Sequence, residues 1–173
     1  PISNVPGAYA NGYDVMIAKK LADSMGADLE IHKIEWDGLA PAVVSGKIDA
    51  AIAGMSITSK RKESVDFTKP YYYATVVALV KKDSPQAQAK SVADLKGSIA
   101  TSQLNTIWYD QIDQVPDVKK LPAIDNVPGM IVALKSGKCN LIVTDIPTAK
   151  AAAFANPDLT MVTFPEDKGL KTS

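Results

Sequence analysis

The sequence predicts an α/β fold in two lobes, each an open, mostly parallel sheet flanked by helices. Three observations predict it. Short apolar runs alternate with segments of helical period, the pattern of strand–helix–strand units. The alternation stops at a long β-prone run, Tyr71 to Lys82, and then begins again. The two halves also echo one another. Val43-Val44-Ser45-Gly46-Lys47-Ile48-Asp49-Ala50-Ala51-Ile52 and Ala133-Leu134-Lys135-Ser136-Gly137-Lys138-Cys139-Asn140-Leu141-Ile142 each read as a helix end, a Ser-Gly-Lys turn and a buried strand. A glycine just past a helix explains part of that echo by itself; two lobes of the same topology explain all of it.

In order along the chain, Val15, Ala18, Leu21, Ala22 and Met25 fall on one helical face from Asp14 onward, and Gly26 stops the helix. Asp28 to Glu35 alternates and reads as a strand. Asp37 caps a short helix with Leu39, Ala40, Val43 and Val44 on its apolar face, closed by Gly46. Asp49 to Ala53 is a short apolar run with turn residues on both sides, as in a buried parallel strand. After the interlobe run come a capped turn at Ser91–Leu95, a strand at Ser98–Ala100, a helix at Thr106–Ile112 and a strand at Val118–Leu121. A helix at Val127–Leu134 tolerates Pro128 in its first turn, and Gly137 ends it. Leu141–Val143 is a buried strand, Pro147–Phe154 an alanine-rich helix and Leu159–Phe164 a last strand.

Composition excludes several classes of function. The 173 residues carry 19 basic and 19 acidic side chains, so no broad positive field marks a nucleic-acid binder. The longest apolar run, Ala74 to Val80, is far too short to span a bilayer. One cysteine, Cys139, cannot form an internal disulfide or a cysteine-based zinc site, and one histidine, His32, gives no histidine-rich metal site. No cofactor is expected. No phosphate loop, dinucleotide glycine fingerprint, nucleophile elbow or Ser-x-x-Lys motif is present. The chain offers recognition groups and no nucleophile.

Those groups lie where strands end. Gly54-Met55-Ser56-Ile57-Thr58-Ser59-Lys60-Arg61 follows the strand at Asp49–Ala53. Gly54 allows close backbone approach, Ser56 and Thr58 bring hydroxyls, and Arg61 brings a planar fork matched to a carboxylate. An ordinary polar loop with a capping residue and a solvated basic cluster is the plainer alternative. Asp145 holds the equivalent place in the second half, either as a helix N-cap or as a carboxylate for an ammonium, and its two oxygens permit both. Trp36 is either core or a flat wall for a ligand. Tyr71, Tyr72 and Tyr73 pack the interlobe strand, His32 is solvated, and Cys139 acts as a small hydrophobe.

Several motifs then occur together in order: Gly12-Tyr13-Asp14-Val15, Trp36-Asp37-Gly38-Leu39-Ala40-Pro41-Ala42, Gly46-Lys47-Ile48-Asp49-Ala50, Ala53-Gly54-Met55-Ser56-Ile57-Thr58 with Arg61, Val65-Asp66-Phe67-Thr68-Lys69-Pro70-Tyr71-Tyr72, Ser91-Val92-Ala93-Asp94-Leu95-Lys96-Gly97 and Val143-Thr144-Asp145. The chain thereby resembles the polar amino-acid substrate-binding proteins of ABC importers, solute-binding family 3. The resemblance implies a two-lobed, periplasmic-binding-protein-like fold that closes on a hinge around an amino acid. By that resemblance Arg61, with Ser56 and Thr58, takes the α-carboxylate. The Gly54 carbonyl and Asp145 take the α-ammonium, and Trp36 walls the side chain. The loop Ser102 to Thr106 departs from the family's glycine-threonine turn, with Asn105 and Thr106 at the contact positions.

Family members open with a strand preceding the residues matched by Pro1-Ile2-Ser3 and close with a return to lobe one. The resemblance therefore implies a fragment: lobe one at residues 1–79, incomplete at both ends, lobe two at 80–165, and 166–173 as a tail or the start of the return. The expected function is capture of an amino acid for delivery to an ABC importer, without catalysis. Expected partners are the amino acid and the permease's transmembrane subunits, with no nucleic acid. The membrane is met only through the permease or a lipid anchor. The expected location is extracytoplasmic, in the periplasm or on the cell surface as a lipoprotein, with the signal peptide removed. Two alternatives share the scaffold: an enzyme similar to cyclohexadienyl dehydratase and the effector-sensing domain of a transcription regulator.

Overall fold

A computed structural model describes residues 12–171; the expectation for Pro1 to Ser3 lies outside them. The chain divides into two compact units, residues 1–72 and 73–173.

The first unit carries helices α1 (Tyr13–Met25), α2 (Leu39–Val44) and the single turn α3 (Ser59–Lys62). Gly26 ends α1 with φ 64°, its N–H reaching Ala22 and Asp23 carbonyls, as the sequence predicts. The apolar face of α1 is only partly covered. Val15, Ala18 and Ala22 are half-buried, while Leu21 and Met25 are 47% and 70% exposed. Ala42 is the only buried residue among the described residues of this unit.

Three expectations are corrected in this unit. Asp28–Glu35 and Asp49–Ala53 do not form strands. A strand is stable only in a ladder, and no described segment of this unit pairs with either. Asp37 does not cap a helix; it sits inside a 3₁₀ turn, Trp36–Gly38, that runs directly into α2. Trp36 therefore begins a turn and does not end a strand.

The second unit holds a five-stranded sheet of β1 (Val76–Lys81), β2 (Ile99–Thr101), β3 (Lys119–Lys120), β4 (Leu141–Asp145) and β5 (Leu159–Val162), in the order β3-β2-β4-β1-β5. β2 pairs in parallel with β3 and β4, whereas β1 runs antiparallel to both β4 and β5. The sheet is thus mixed, with four strands in one direction and an opposed strand inside it. Helices α4 (Trp108–Gln111), α5 (Val127–Lys135) and α6 (Ile146–Ala155) complete the unit.

Both faces of the sheet are covered, and the two-residue period of β1 distributes its side chains between them. Val76, Ala78 and Val80 join Leu95, Trp108, Ile112 and Leu141 on one face. Val77 and Leu79 join Met130, Leu134, Ile142, Ala149 and Leu159 on the other. Burial on both sides explains why β1 and β4 read as unbroken apolar runs. Asn126 caps α5 by accepting from the Gly129 N–H, and Pro128 sits in the first turn, where no donor is lost.

The sequence echo is a structural one. Ser45 Oγ donates to the Ala42 carbonyl at the end of α2, and Ser136 Oγ to the Ala133 carbonyl at the end of α5. Gly46 and Gly137 follow with φ 70° and 78°.

The division between units falls at Tyr72, seven residues before the expected boundary after residue 79. The cause is β1: Val76–Lys81 is hydrogen-bonded between β4 and β5 and so belongs to the second unit. The tyrosines predicted to pack that strand precede it, and Tyr73 is 83% exposed. The segment after 165 also belongs there. Leu170 is buried in the second unit's core, Lys168 O accepts from Val92 N–H, and the Gln114 amide holds both the N–H and the carbonyl of Lys171.

Candidate functional site

The recognition residues of the first unit lie around one turn. Gly54 has φ 61°, a conformation that side-chain-bearing residues rarely adopt, although a Cβ there would meet nothing within 4 Å. The glycine is thus required for the backbone path and not for space. Beyond it the chain reaches Thr58, whose hydroxyl caps α3 by accepting from the Arg61 N–H at 3.2 Å. This cap fixes where the Arg61 side chain starts.

The Arg61 guanidinium donates through Nη1 to the Ser56 carbonyl at 2.7 Å, and its Cζ lies 5.8 Å from the Trp36 ring centroid. One contact fixes the plane of the fork, and the other sets a cation over an aromatic face. Burial lowers the Arg61 pKa from its ordinary value, yet guanidinium remains cationic in proteins. Trp36, Ser56, Thr58 and Arg61 are therefore gathered, and each is half-buried. Ser56 contributes its carbonyl to this cluster. A half-dehydrated cation on an aromatic wall is chemically suited to an anion such as a carboxylate.

The second unit assembles its candidates at the carboxyl ends of parallel strands, where open α/β sheets bind ligands. The loop after β2 starts at buried Ser102, whose hydroxyl donates to the Val143 carbonyl of β4 at 2.7 Å. Asn105 follows with φ 58°, a left-handed conformation that asparagine tolerates. Thr106 Oγ1 donates to the Gln103 carbonyl at 2.8 Å. Asp145 ends β4 and is the N-cap of α6, with Oδ1 accepting from Thr148 N–H at 2.8 Å. Among the described residues, its Oδ2 has no hydrogen-bond partner. Asn105, Thr106 and Asp145 thus share one end of the second unit's sheet.

Two groups went unrecognised in the sequence. Tyr71 was expected in strand packing, but its hydroxyl accepts from the Gly54 N–H and donates to Asp14. Asp14 reads in sequence only as a helix start. The signal was present in the Gly12-Tyr13-Asp14 and Lys69-Pro70-Tyr71 motifs, whose partners are distant in the chain. Cys139 and His32 are as expected in environment: the thiol is buried and pushed up to about 11, and the imidazole is exposed beside Glu30. Among the described residues no cluster of three or more histidine, cysteine or acidic side chains could hold a metal ion, and no helix is long and apolar enough to cross a membrane.

The profile of the bacterial extracellular solute-binding proteins, family 3, matches residues 3–120. The chain belongs to that family. This solute-binding protein is 34% identical over 148 residues to a probable histidine-binding protein of Campylobacter jejuni, covering 86% of this chain and 57% of the relative. It is 33% identical to ABC transporter arginine-binding protein 1 of Escherichia coli, covering 88% of this chain and 61% of the relative. Among solved structures, an amino-acid ABC transporter substrate-binding protein of Streptococcus pneumoniae bound to L-arginine superposes with TM-score 0.81 at 32% identity. That match covers 95% of this solute-binding protein and 69% of the other chain. The chain therefore spans about three fifths of the length of the curated relatives it matches. These relatives are binding proteins and not enzymes.

Proposed function

We propose that this chain belongs to an extracytoplasmic protein that captures an amino acid and delivers it to the transmembrane subunits of an ABC importer. The observation that carries the reading is the Arg61 guanidinium, half-buried, oriented by the Ser56 carbonyl and set against Trp36. It offers a carboxylate a planar, partly desolvated cation. In this reading Ser56 and Thr58 assist Arg61, the Gly54 carbonyl and Asp145 receive the ammonium, and Trp36 lies along the side chain. Asn105 and Thr106 contribute from the second unit. The relatives named for histidine and arginine support an L-amino acid as the ligand class. In the mature protein, residues 1–72 and 73–171 serve as parts of two lobes, and the membrane is met through the permease or a lipid anchor.

Titration calorimetry of the full-length protein against the twenty common L-amino acids tests this. Micromolar or tighter binding of at least one is expected, and no binding to any would overturn the function.

Asp145 allows its two roles to be separated. Asparagine is as good an N-cap as aspartate, so Asp145→Asn keeps α6 capped and leaves thermal stability near wild type. The same change removes the negative charge and lowers ligand affinity by ~10-fold or more, as expected for losing a charge-assisted bond. Asp145→Ala loses about 1 kcal/mol of stability in addition. Equal affinity in wild type and Asp145→Asn would reduce Asp145 to a cap.

A further inference from the structure

The Tyr71 hydroxyl stands between the Gly54 turn and the first turn of α1. It accepts from the Gly54 N–H at 2.7 Å and donates to Asp14 Oδ1 at 3.0 Å. The direction of both bonds follows from chemistry. An ionised carboxylate only accepts, so the phenolic proton faces Asp14 and a lone pair is left for the Gly54 N–H. The phenol stays protonated, because burial raises its pKa and the Asp14 charge adds to the shift. The tyrosine is itself held in place. Tyr13 Oη donates to the Tyr71 carbonyl at 3.2 Å, and the two rings lie 6.1 Å apart.

Gly54 is where this matters. Its positive φ sends the backbone through a turn stabilised by little else, since no described helix or strand contains it. A hydrogen bond on its N–H fixes one end of the residue and so restricts where its carbonyl points. The donation from Tyr71 to a carboxylate also polarises the phenol oxygen and strengthens its acceptance.

We propose that Tyr71, oriented by Asp14, is a positioning residue for the ammonium subsite: its hydroxyl fixes the Gly54 turn so that the Gly54 carbonyl is presented to the ligand. The proposal rests on the reading of Gly54 given under the proposed function. It assigns Tyr71 no contact with the ligand, and it makes Asp14 a part of the site through the phenol alone.

The test uses the full-length protein with L-arginine and L-histidine, each beside its desamino acid, 5-guanidinopentanoate and imidazolepropionate. Tyr71→Phe removes one oxygen and keeps the ring. It lowers affinity for the amino acids ~10-fold, the scale of one hydrogen bond, while affinity for the desamino acids changes by less than ~3-fold. Asp14→Asn keeps an acceptor oxygen and stays near wild type, whereas Asp14→Ala behaves like Tyr71→Phe. In the ligand-free protein, hydrogen exchange at the Gly54 amide accelerates in Tyr71→Phe. A role confined to general stability would weaken both ligand classes equally. That result, or an unchanged Gly54 amide, overturns the proposal. Arg61→Ala separates this from the underlying reading. If Arg61→Ala abolishes binding and Tyr71→Phe leaves the amino-to-desamino ratio unchanged, only the positioning role fails. If Arg61→Ala binds normally, or wild type binds none of the common amino acids, the site reading fails and the proposal with it.

Discussion

Arg61→Ala in the full-length protein should lower its affinity for the preferred amino acid by at least ~100-fold in titration calorimetry. A carboxylate held by two charge-assisted bonds gains ~3–6 kcal/mol from them, and alanine removes both. The change is local for a specific reason. Thr58 accepts from the backbone N–H of residue 61, which alanine retains, so α3 stays capped. What is lost from the fold is the bond to the Ser56 carbonyl and the packing on Trp36. The first is worth about 1 kcal/mol on a half-exposed surface. Arg61→Lys should recover only a minor part of the affinity, because an ammonium keeps the charge but not the planar fork. Wild-type affinity in Arg61→Ala would remove the carboxylate subsite from this turn.

The largest stability effect is expected at Leu79. It sits in the middle of β1, 1% exposed, opposite Ile142 of β4 and Met161 of β5, and packs with Met130, Leu134 and Leu159. Leu79→Ala should destabilise the second unit by ~3–4 kcal/mol, the lost transfer energy plus that of the cavity left between two helices and a sheet. A folded unit of this size has only ~5–15 kcal/mol to lose. Urea denaturation followed by circular dichroism would measure the loss as a lower midpoint at unchanged slope. Phe154→Ala serves as the control. Phe154 is 92% exposed, so its removal should stay within about 0.5 kcal/mol. If the two substitutions cost the same, the packing of β1 described above is wrong.

The sequence made some of these features legible and hid others, for physical reasons. Helices α5 and α6 are plain because proline, cap and glycine each act within a few residues of where they stand. The direction of β1 was hidden. Val76 to Val80 is apolar on both faces, so neither its period nor its composition separates a parallel from an antiparallel strand. Only its pairing with Leu141–Asp145 and Leu159–Val162 decides. The segments Asp28–Glu35 and Asp49–Ala53 have strand-like patterns, yet a pattern supplies no ladder partner.

In the candidate site, Trp36, Ser56, Thr58 and Arg61 were readable because a turn and a cap bring them together. The hydroxyl of Tyr71 on Gly54 was not, because 17 residues separate the two and tyrosine in an apolar run reads first as packing. The boundary between units moved for the same reason that β1 was misread: membership in a sheet is set by distant strands.

The inverted place of β1 also bears on how the molecule comes into being. Its hydrogen-bonding neighbours on both sides are encoded downstream, so during synthesis Val76–Lys81 emerges before either exists. Until Leu159–Val162 has followed, a stretch of valine, alanine and leucine stands with both edges unmatched. Such a chain is slow to settle and prone to sticking to other chains. Its passage to the native state depends on whatever shields that stretch while the last strand is made.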